Sequence, residues 1–251
     1  MRRAIISDVH ANQEALEAVL TEINTLGIDE IWCLGDLVGY GPNPKECVDL
    51  IRRHTSLCIM GNHDWALLNK PIGFNSVAAN MINLTKKWMD PAKDKDDRAL
   101  ERWDFISELP RRLHRDGFLL VHGSPRHALS EYILPTDVRY DPGKFEEIFP
   151  MFDQYCLIGH SHFPCIITED CEAKVPEGNG SEFELGDQKA IINVGSVGQP
   201  RDGDERACFV IQEDNKIRYK RLPYDRSRTA GKIEKLGDEY QVLAYRLSIG
   251  R

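Results

Sequence analysis

The sequence predicts a mixed α/β domain of two sheets with flanking helices, and three observations carry that expectation. At 251 residues the chain can bury one full core. Short apolar runs alternate with amphipathic segments over roughly the first sixty residues. From Arg111 onward most apolar runs have the length of strands.

The first run, RAIIS, reads as a strand. It is followed by NQEALEAVLTEINTLG, in which Leu16, Val19, Leu20, Ile23 and Leu26 recur at helical spacing. Asn12 stands where it can cap this helix and Gly27 where it can stop it. EIWCLG is the second strand, NPKECVDLIRRH a helix opened by Asn43 and Pro44, and SLCIMG the third strand. A β-α-β-α-β series implies parallel pairing through right-handed crossovers.

From about Phe74 to Leu109 the pattern is that of two helices separated by DPAKDKDD, a charged stretch expected to be a solvated loop. Strands follow at RRLH and FLLVHG around Asp116–Gly117, then at CLIGH, CIITED, AIINVG, ACFVIQ and KIRYKRL. The acidic span Asp170–Gln188, with Gly178, Gly180 and Gly186, is expected to be an exposed hairpin loop. The tail, residues 226–251, is expected to be helical and to pack through Ile233, Leu236 and Leu243 on the domain formed by residues 1–225.

The chain is 41% hydrophobic and 29% charged, with a formal net charge of -8. An acidic chain is poorly suited to nonspecific nucleic-acid or anionic-membrane partners, and no apolar run approaches the ~20 residues of a membrane span. Only Ala4, Ile5 and Ile6 separate the two N-terminal arginines from Ser7 and Asp8, which is not a signal-peptide pattern. The seven cysteines include no C-x-x-C, and most lie inside apolar runs. That usage suits small buried side chains in a reducing cytoplasm better than a disulfide framework.

Five strand ends carry polar clusters: Asp8 and His10 in SDVHAN; Asp36 in LGDLVGYGPNP; Asn62, His63 and Asp64 in MGNHDWA; His122 in LLVHGSP; and His160 and His162 in LIGHSHFP. Singly, each has an ordinary explanation. Asp8 could cap a turn, Asn62 could occupy a left-handed turn, and His122 could be a satisfied histidine at the core edge. Ligand crevices of open α/β sheets lie at the carboxyl ends of strands, so the five clusters are expected to converge. Carboxylates, a carboxamide and four imidazoles without thiolate suit Mn, Fe or Zn better than Ca or Mg.

In this order, D-x-H, G-D, G-N-H-D, H and G-H-x-H resemble the calcineurin-like metallophosphoesterase superfamily. The wording GDLVGYGPNP, HGSP and NVGSVGQPRDGD is similar to its small bacterial phosphodiesterase-like branch. The resemblance runs from Asp8 to about Asp204, and the tail is also similar. It implies two mixed sheets packed face to face between helices, with a dinuclear centre at one end. By position, Asp8, His10 and His162 would hold one metal. Asn62, His122 and His160 would hold the other, and Asp36 would bridge two divalent or mixed-valence transition metals.

What the resemblance further implies is hydrolysis of a small phosphodiester or nucleotide by attack of a metal-bound hydroxide. His63 would protonate the leaving alkoxide. Four positions depart from the pattern. Ala11 replaces a usual glycine. Gly39, Tyr40 and Met60 occupy the places where the superfamily's phosphoprotein phosphatases carry phosphate-gripping arginines and the carboxylate that orients the acid. Asp64 could orient His63 or could hydrogen-bond backbone in the turn. Arg201 and His127 could supply the missing grip on substrate or could be structural loop residues.

Specificity is expected in the loops from Pro71 to Lys95 and from Arg126 to Asp141. A non-catalytic binding scaffold on this fold, like a retromer subunit, is disfavoured because all seven ligands and His63 are present. A nuclease is disfavoured by the acidic charge and the lack of an evident basic groove.

Overall fold

The computed structural model describes residues 2–251. The first strands and helices are β1 (Arg2–Ile6), α1 (Gln13–Thr25), β2 (Glu30–Cys33), α2 (Pro44–His54) and β3 (Leu57–Cys58). As expected from the crossovers, β1, β2 and β3 pair in parallel. Asn12 caps α1 by accepting from the Ala15 N–H. Asn43 makes no such cap; its side chain accepts from Lys232 in the tail instead.

Next come α3 (Asn62–Leu68), α4 (Ser76–Met89), α5 (Ala99–Glu108), β4 (Arg112–Arg115), β5 (Phe118–Val121), α6 (Asp137–Tyr140) and α7 (Gly143–Ile148). The charged stretch between α4 and α5 is less solvated than expected. Its Asp96, together with Asp49 of α2, pairs with the buried Arg102 at 2.8 and 2.7 Å. Without carboxylate partners a guanidinium could not sit there, since burying an unpaired charge is prohibitively costly.

The remaining elements are β6 (Tyr155–Ile158), β7 (Cys165–Thr168), β8 (Ala173–Lys174), β9 (Glu182–Glu184), β10 (Ala190–Asn193), β11 (Ala207–Glu213), β12 (Lys216–Leu222), α8 (Arg226–Glu234) and α9 (Gln241–Ile249). One sheet has the order β3-β2-β1-β11-β12-β9 and the other β4-β5-β6-β10-β7-β8. The acidic span after Asp170 is therefore not simply a loop: β8 edges the second sheet and β9 the first. Glu182 and Glu184 alternate with Phe183, which packs inward, so the charges stay in water.

The sheets lie face to face. Ile5, Trp32 and Val210 of the first sheet share one core with Leu120, Leu157 and Ile192 of the second. Alternate residues point the other way, as the two-residue strand period requires. Ala4 and Ile6 pack under α1 and α2, and Leu119 and Val121 under α7. Each fully buried Leu, Ile or Val contributes roughly 1.5–3 kcal/mol. All seven cysteines are free thiols, five of them buried. Among the described residues no helix is long and apolar enough to cross a membrane.

The tail helices bury Ile233, Leu243 and Leu247 against Tyr40 and Met81. Glu14 of α1 anchors them, accepting from Lys232 at 2.5 Å and from Thr229 at 2.9 Å. This docking brings α9 alongside the strand ends.

Candidate metal centre

The loops that leave β1 and β2 are laced together by backbone hydrogen bonds. The Asp8 N–H donates to Gly35 O, His10 to Asp36 O and Ala11 to Leu37 O, at 2.8–3.0 Å. The lacing requires left-handed backbone at Asp8 (φ 55°), His10 (48°), Ala11 (51°) and Asp36 (55°). His160 (62°) and His162 (61°) share it. A non-glycine residue held there costs on the order of 1–3 kcal/mol. Five of the seven expected ligands carry this strain, which a turn without a function would have no reason to retain. Ala11 adopts the conformation that glycine would take freely.

Two close approaches complete the frame. A Cβ at Gly61 would lie 2.0 Å from Asp36 Oδ1, and one at Gly159 would lie 2.5 Å from Asp8 Oδ2. Glycine at these two positions lets the carboxylates sit against neighbouring backbone.

The expected ligands come together. Asp8 Oδ1 lies 3.1 Å from His162 Nε2 and 3.7 Å from His10 Nε2. Asp36 Oδ2 lies 3.2 Å from His122 Nε2 and 3.7 Å from His10 Nε2. Asn62 Oδ1 is 3.1 Å from His122 Nε2. Ligand atoms of Asp8, His10 and His162 fall within 4.8 Å of one another, as do those of Asp36, His122 and His160. Asp36 with His10 and His63 forms a third such group, so Asp36 stands between the two sides.

The imidazoles are aimed from behind. Nδ1 of His10 faces Val38 O at 3.2 Å, Nδ1 of His122 faces Leu34 O at 2.8 Å, and Nδ1 of His162 faces Gln199 O. Such carbonyl contacts fix the tautomer and leave Nε2 as the free lone pair. The inner atoms lack partners: Asp8 Oδ1 and His160 Nε2 are buried with no hydrogen bond. Nε2 of His10 and of His162 face each other at 3.1 Å. Buried acceptors turned toward one another are what a pair of cations would satisfy, and the donor set is that of borderline transition metals.

The charges of the cluster are tightly linked. Burial works to raise the pKa of Asp8 and Asp36, but the neighbouring histidines outweigh it and hold both carboxyls below the usual range. Burial works to lower His122, yet Asp36 and Asp8 push it up to about 10. Burial brings His160 down to about 4, helped by the His122 charge, and His162 to about 3, helped by Arg201. His160 and His162 are thus neutral ligands in waiting.

His63 lies beside this cluster, its ring centre 4.7 Å from that of His10, 4.6 Å from Tyr40 and 4.7 Å from Phe74. A Cβ at Gly39 would fall 2.1 Å from its Nδ1, so only glycine leaves room for the ring. Burial pushes the His63 pKa well down. Of the two roles open to Asp64, the geometry matches the backbone one. Its carboxylate accepts from the N–H groups of Asp36, Leu37, Val38 and Gly61 at 2.7–3.4 Å and makes no bond to His63. This is a bracing position, and burial and the Asp36 carboxylate raise the Asp64 pKa to about 6.

His127 matches the loop role. Its side chain is exposed, and its backbone closes the turn with Ser124. Arg201, by contrast, reaches Tyr40 Oη at 3.3 Å, next to His63. Two residues escaped the sequence reading. Tyr132 stacks on His160 with ring centres 4.1 Å apart, and Arg246 of α9 lies over the Tyr40 ring. The only local signal for Arg246 was its place between the buried Leu243 and Leu247. A cavity of about 590 Å³ opens beside Asn62, His63 and His160, walled by Phe74, Trp65 and Leu129.

Comparison with known proteins places this geometry. The profile of the calcineurin-like phosphoesterase superfamily domain matches residues 1–216. A protein of Methanocaldococcus jannaschii, itself named only as uncharacterized, is 39% identical over 92% of this chain and 91% of its own. The crystal structure of a metallophosphoesterase from Sphaerobacter thermophilus superposes with a TM-score of 0.83 at 36% identity, covering 100% of this chain and 99% of that one. A symmetrical bis(5'-nucleosyl)-tetraphosphatase of Actinobacillus pleuropneumoniae is 32% identical over 53% of this chain and 49% of the enzyme. The chain thus spans about half the length of the tetraphosphatases it matches.

Proposed function

Because the chain belongs to the calcineurin-like phosphoesterase superfamily and is a metal-dependent phosphoric ester hydrolase, we propose that it hydrolyses a small phosphodiester or nucleotide at a dinuclear centre. The observation that carries this reading is that Asp36 belongs to two buried ligand groups, one with His10 and His63 and one with His122 and His160, beside the unpartnered Asp8 Oδ1 and His160 Nε2.

Asp8, His10 and His162 would hold one cation, Asn62, His122 and His160 the other, and Asp36 both. Mn, Fe or Zn fit the nitrogen and oxygen donors. When bound, two such cations neutralise phosphoryl oxygens and bring the pKa of a water down toward neutrality. The chain's own groups do the rest. Asp64 holds the β2 turn so that Asp36 points inward. Asp36 Oδ1 in turn accepts from the His63 N–H at 2.8 Å and so fixes the start of α3. From there the His63 imidazole can reach a leaving oxygen; to give it a proton it must first be protonated, which the negative charge of a bound substrate would favour against the burial that lowers its pKa.

The apolar walls of the adjoining cavity suit a planar base more than a peptide. With Tyr40 and Met60 where protein phosphatases carry arginine grips on a monoester dianion, diesters and nucleotides are favoured over phosphoproteins. The free buried cysteines fit a cytoplasmic setting.

The test is a substrate panel of phosphomonoesters, diesters, dinucleoside polyphosphates and a phosphopeptide, run with Mn, Fe and Zn in turn. A diester or nucleotide should be turned over fastest. A phosphopeptide that outruns them all refutes the substrate class, and inactivity with every metal refutes the reading.

A further inference from the structure

Arg201 and Arg246 converge on one aromatic ring. Their guanidinium carbons lie 5.7 and 5.6 Å from the centre of the Tyr40 ring. Arg201 comes from the loop between β10 and β11, and Arg246 from α9 in the tail. Other arginines at least partly shielded from water are paired with acids: Arg102 with Asp49 and Asp96, Arg206 with Asp204, and Arg221 with Asp202. The pair over Tyr40 has no acidic side chain of its own. Arg201 donates only to Tyr40 Oη and to Gln199 Oε1, at 3.3 and 3.2 Å, and its buried Nε has no partner. Arg246 Nε donates to the main-chain oxygen of Arg251, the terminal carboxylate of this 251-residue chain, at 2.8 Å.

Two cations held near one ring repel, and Arg201 has no acid beside it to offset this, its contacts being a hydroxyl and an amide oxygen. Cation–π contact with Tyr40 offsets only part of this cost, about 0.5–2 kcal/mol each. What offsets the rest is an anion. Guanidinium forks match phosphate oxygens in geometry as well as charge. The location supplies the anion's identity, because the same Tyr40 ring touches His63 and His10 on the cluster side, at 4.6 and 4.7 Å between ring centres.

Resting on the phosphoesterase reading above, we propose that Arg201 and Arg246, with Tyr40 between them, form a second anion subsite that holds a phosphate next to the one being hydrolysed. The substrate class is then a nucleotide with two or more consecutive phosphates rather than a simple diester. The base would occupy the apolar cavity beside His63 and the phosphate chain would run across the metal centre toward Tyr40. The C-terminal helix thereby contributes directly to substrate choice, since without α9 the subsite keeps one arginine.

The experiment measures binding of two probes to the metal-loaded full chain by calorimetry, AMP and the non-hydrolysable α,β-methylene-ADP. Hydrolysis of bis(p-nitrophenyl) phosphate is followed in parallel. The wild type should prefer the diphosphate analogue by at least about tenfold. Arg246→Gln and Arg201→Gln should each shrink that preference by roughly 10- to 100-fold, the range for losing a charge-assisted hydrogen bond. Arg246→Lys should restore part of it. Melting curves establish that the variants are folded; if Arg246→Gln is not, Arg201→Gln and Arg246→Lys carry the measurement. A preference that survives in the folded variants, or is absent from the wild type, overturns the subsite. Failure to hydrolyse the nitrophenyl diester with any metal instead refutes the phosphoesterase reading, and leaves the binding preference to be read independently.

Discussion

Replacing Asp36 by Asn tests the shared carboxylate most directly. Asp36 is 1% exposed, accepts from the His63 N–H through Oδ1, and turns Oδ2 toward His122 and His10. Asparagine keeps the volume and can keep the bond to His63, so the fold should survive. It removes the one anionic oxygen that faces both ligand groups.

Losing a group that merely orients a ligand costs about 10–100-fold in metal affinity, and a shared anion should cost at least the upper figure at both sites. A metal at 100 times its Kd stabilises by about 2.7 kcal/mol. In a domain of this size 1 kcal/mol shifts Tm by roughly 2–4 °C, so each filled site should add roughly 5–10 °C. After a hundredfold loss the same metal concentration leaves only about 0.4 kcal/mol per site, a shift of roughly 1–2 °C.

The assay pairs metal content after reconstitution with Mn and desalting with melting curves taken with and without Mn. The wild type should bind two ions and show the full shift; Asp36→Asn should lose both ions together. His10→Ala and His160→Ala should each lose mainly one ion and about half the shift. A wild type that never exceeds one ion per chain, or an Asp36→Asn variant that keeps one at unchanged affinity, would refute the reasoning.

Three further outcomes are expected. His63→Asn should keep both metals and lose activity modestly on a nitrophenyl ester but by about 10²–10⁴-fold on an alkyl or nucleoside diester, whose leaving group needs a proton; equal losses with chemistry rate-limiting would remove His63 from the acid role. Asp64→Asn should lower thermal stability and depress all substrates alike, because it loosens a turn; a selective loss on poor leaving groups would return Asp64 to the proton transfer. Glu14→Gln should lower Tm at pH 7 by roughly 2–4 °C, since the partners Lys232 and Arg228 are partly or largely solvated and the contribution is about 1 kcal/mol. The folded-state pKa of Glu14 is depressed, burial opposing and the Lys232 and Thr229 contacts prevailing. Its contribution is therefore present above the ordinary glutamate pKa of about 4.3 and fades as pH falls through the lower folded value. The gap between wild type and variant should close on acidification, and a gap that widens would refute the assignment.

The amino-acid sequence alone determined the β-α-β opening, the helical tail and the seven residues that come together at the candidate metal centre. Those features are encoded locally: apolar period sets strand or helix, and ligands set just beyond parallel strands are carried to one edge by the topology. Tertiary structure alone decided what depends on which distant backbone arrives nearby. Asp64 turned out to face the N–H groups of the β2 turn because β2 and α3 pack together, so it is not a partner of His63. His127, two residues after Pro125 and closing the same turn, was carried to the surface. The acidic span after Asp170 found unpaired edges of both sheets, a matter of where β7 and β12 end up. Tyr40 received one arginine 161 residues away and another from the C-terminal helix, contacts whose partners no local period can specify, because they exist only after the tail has buried Leu243 and Leu247 against the body.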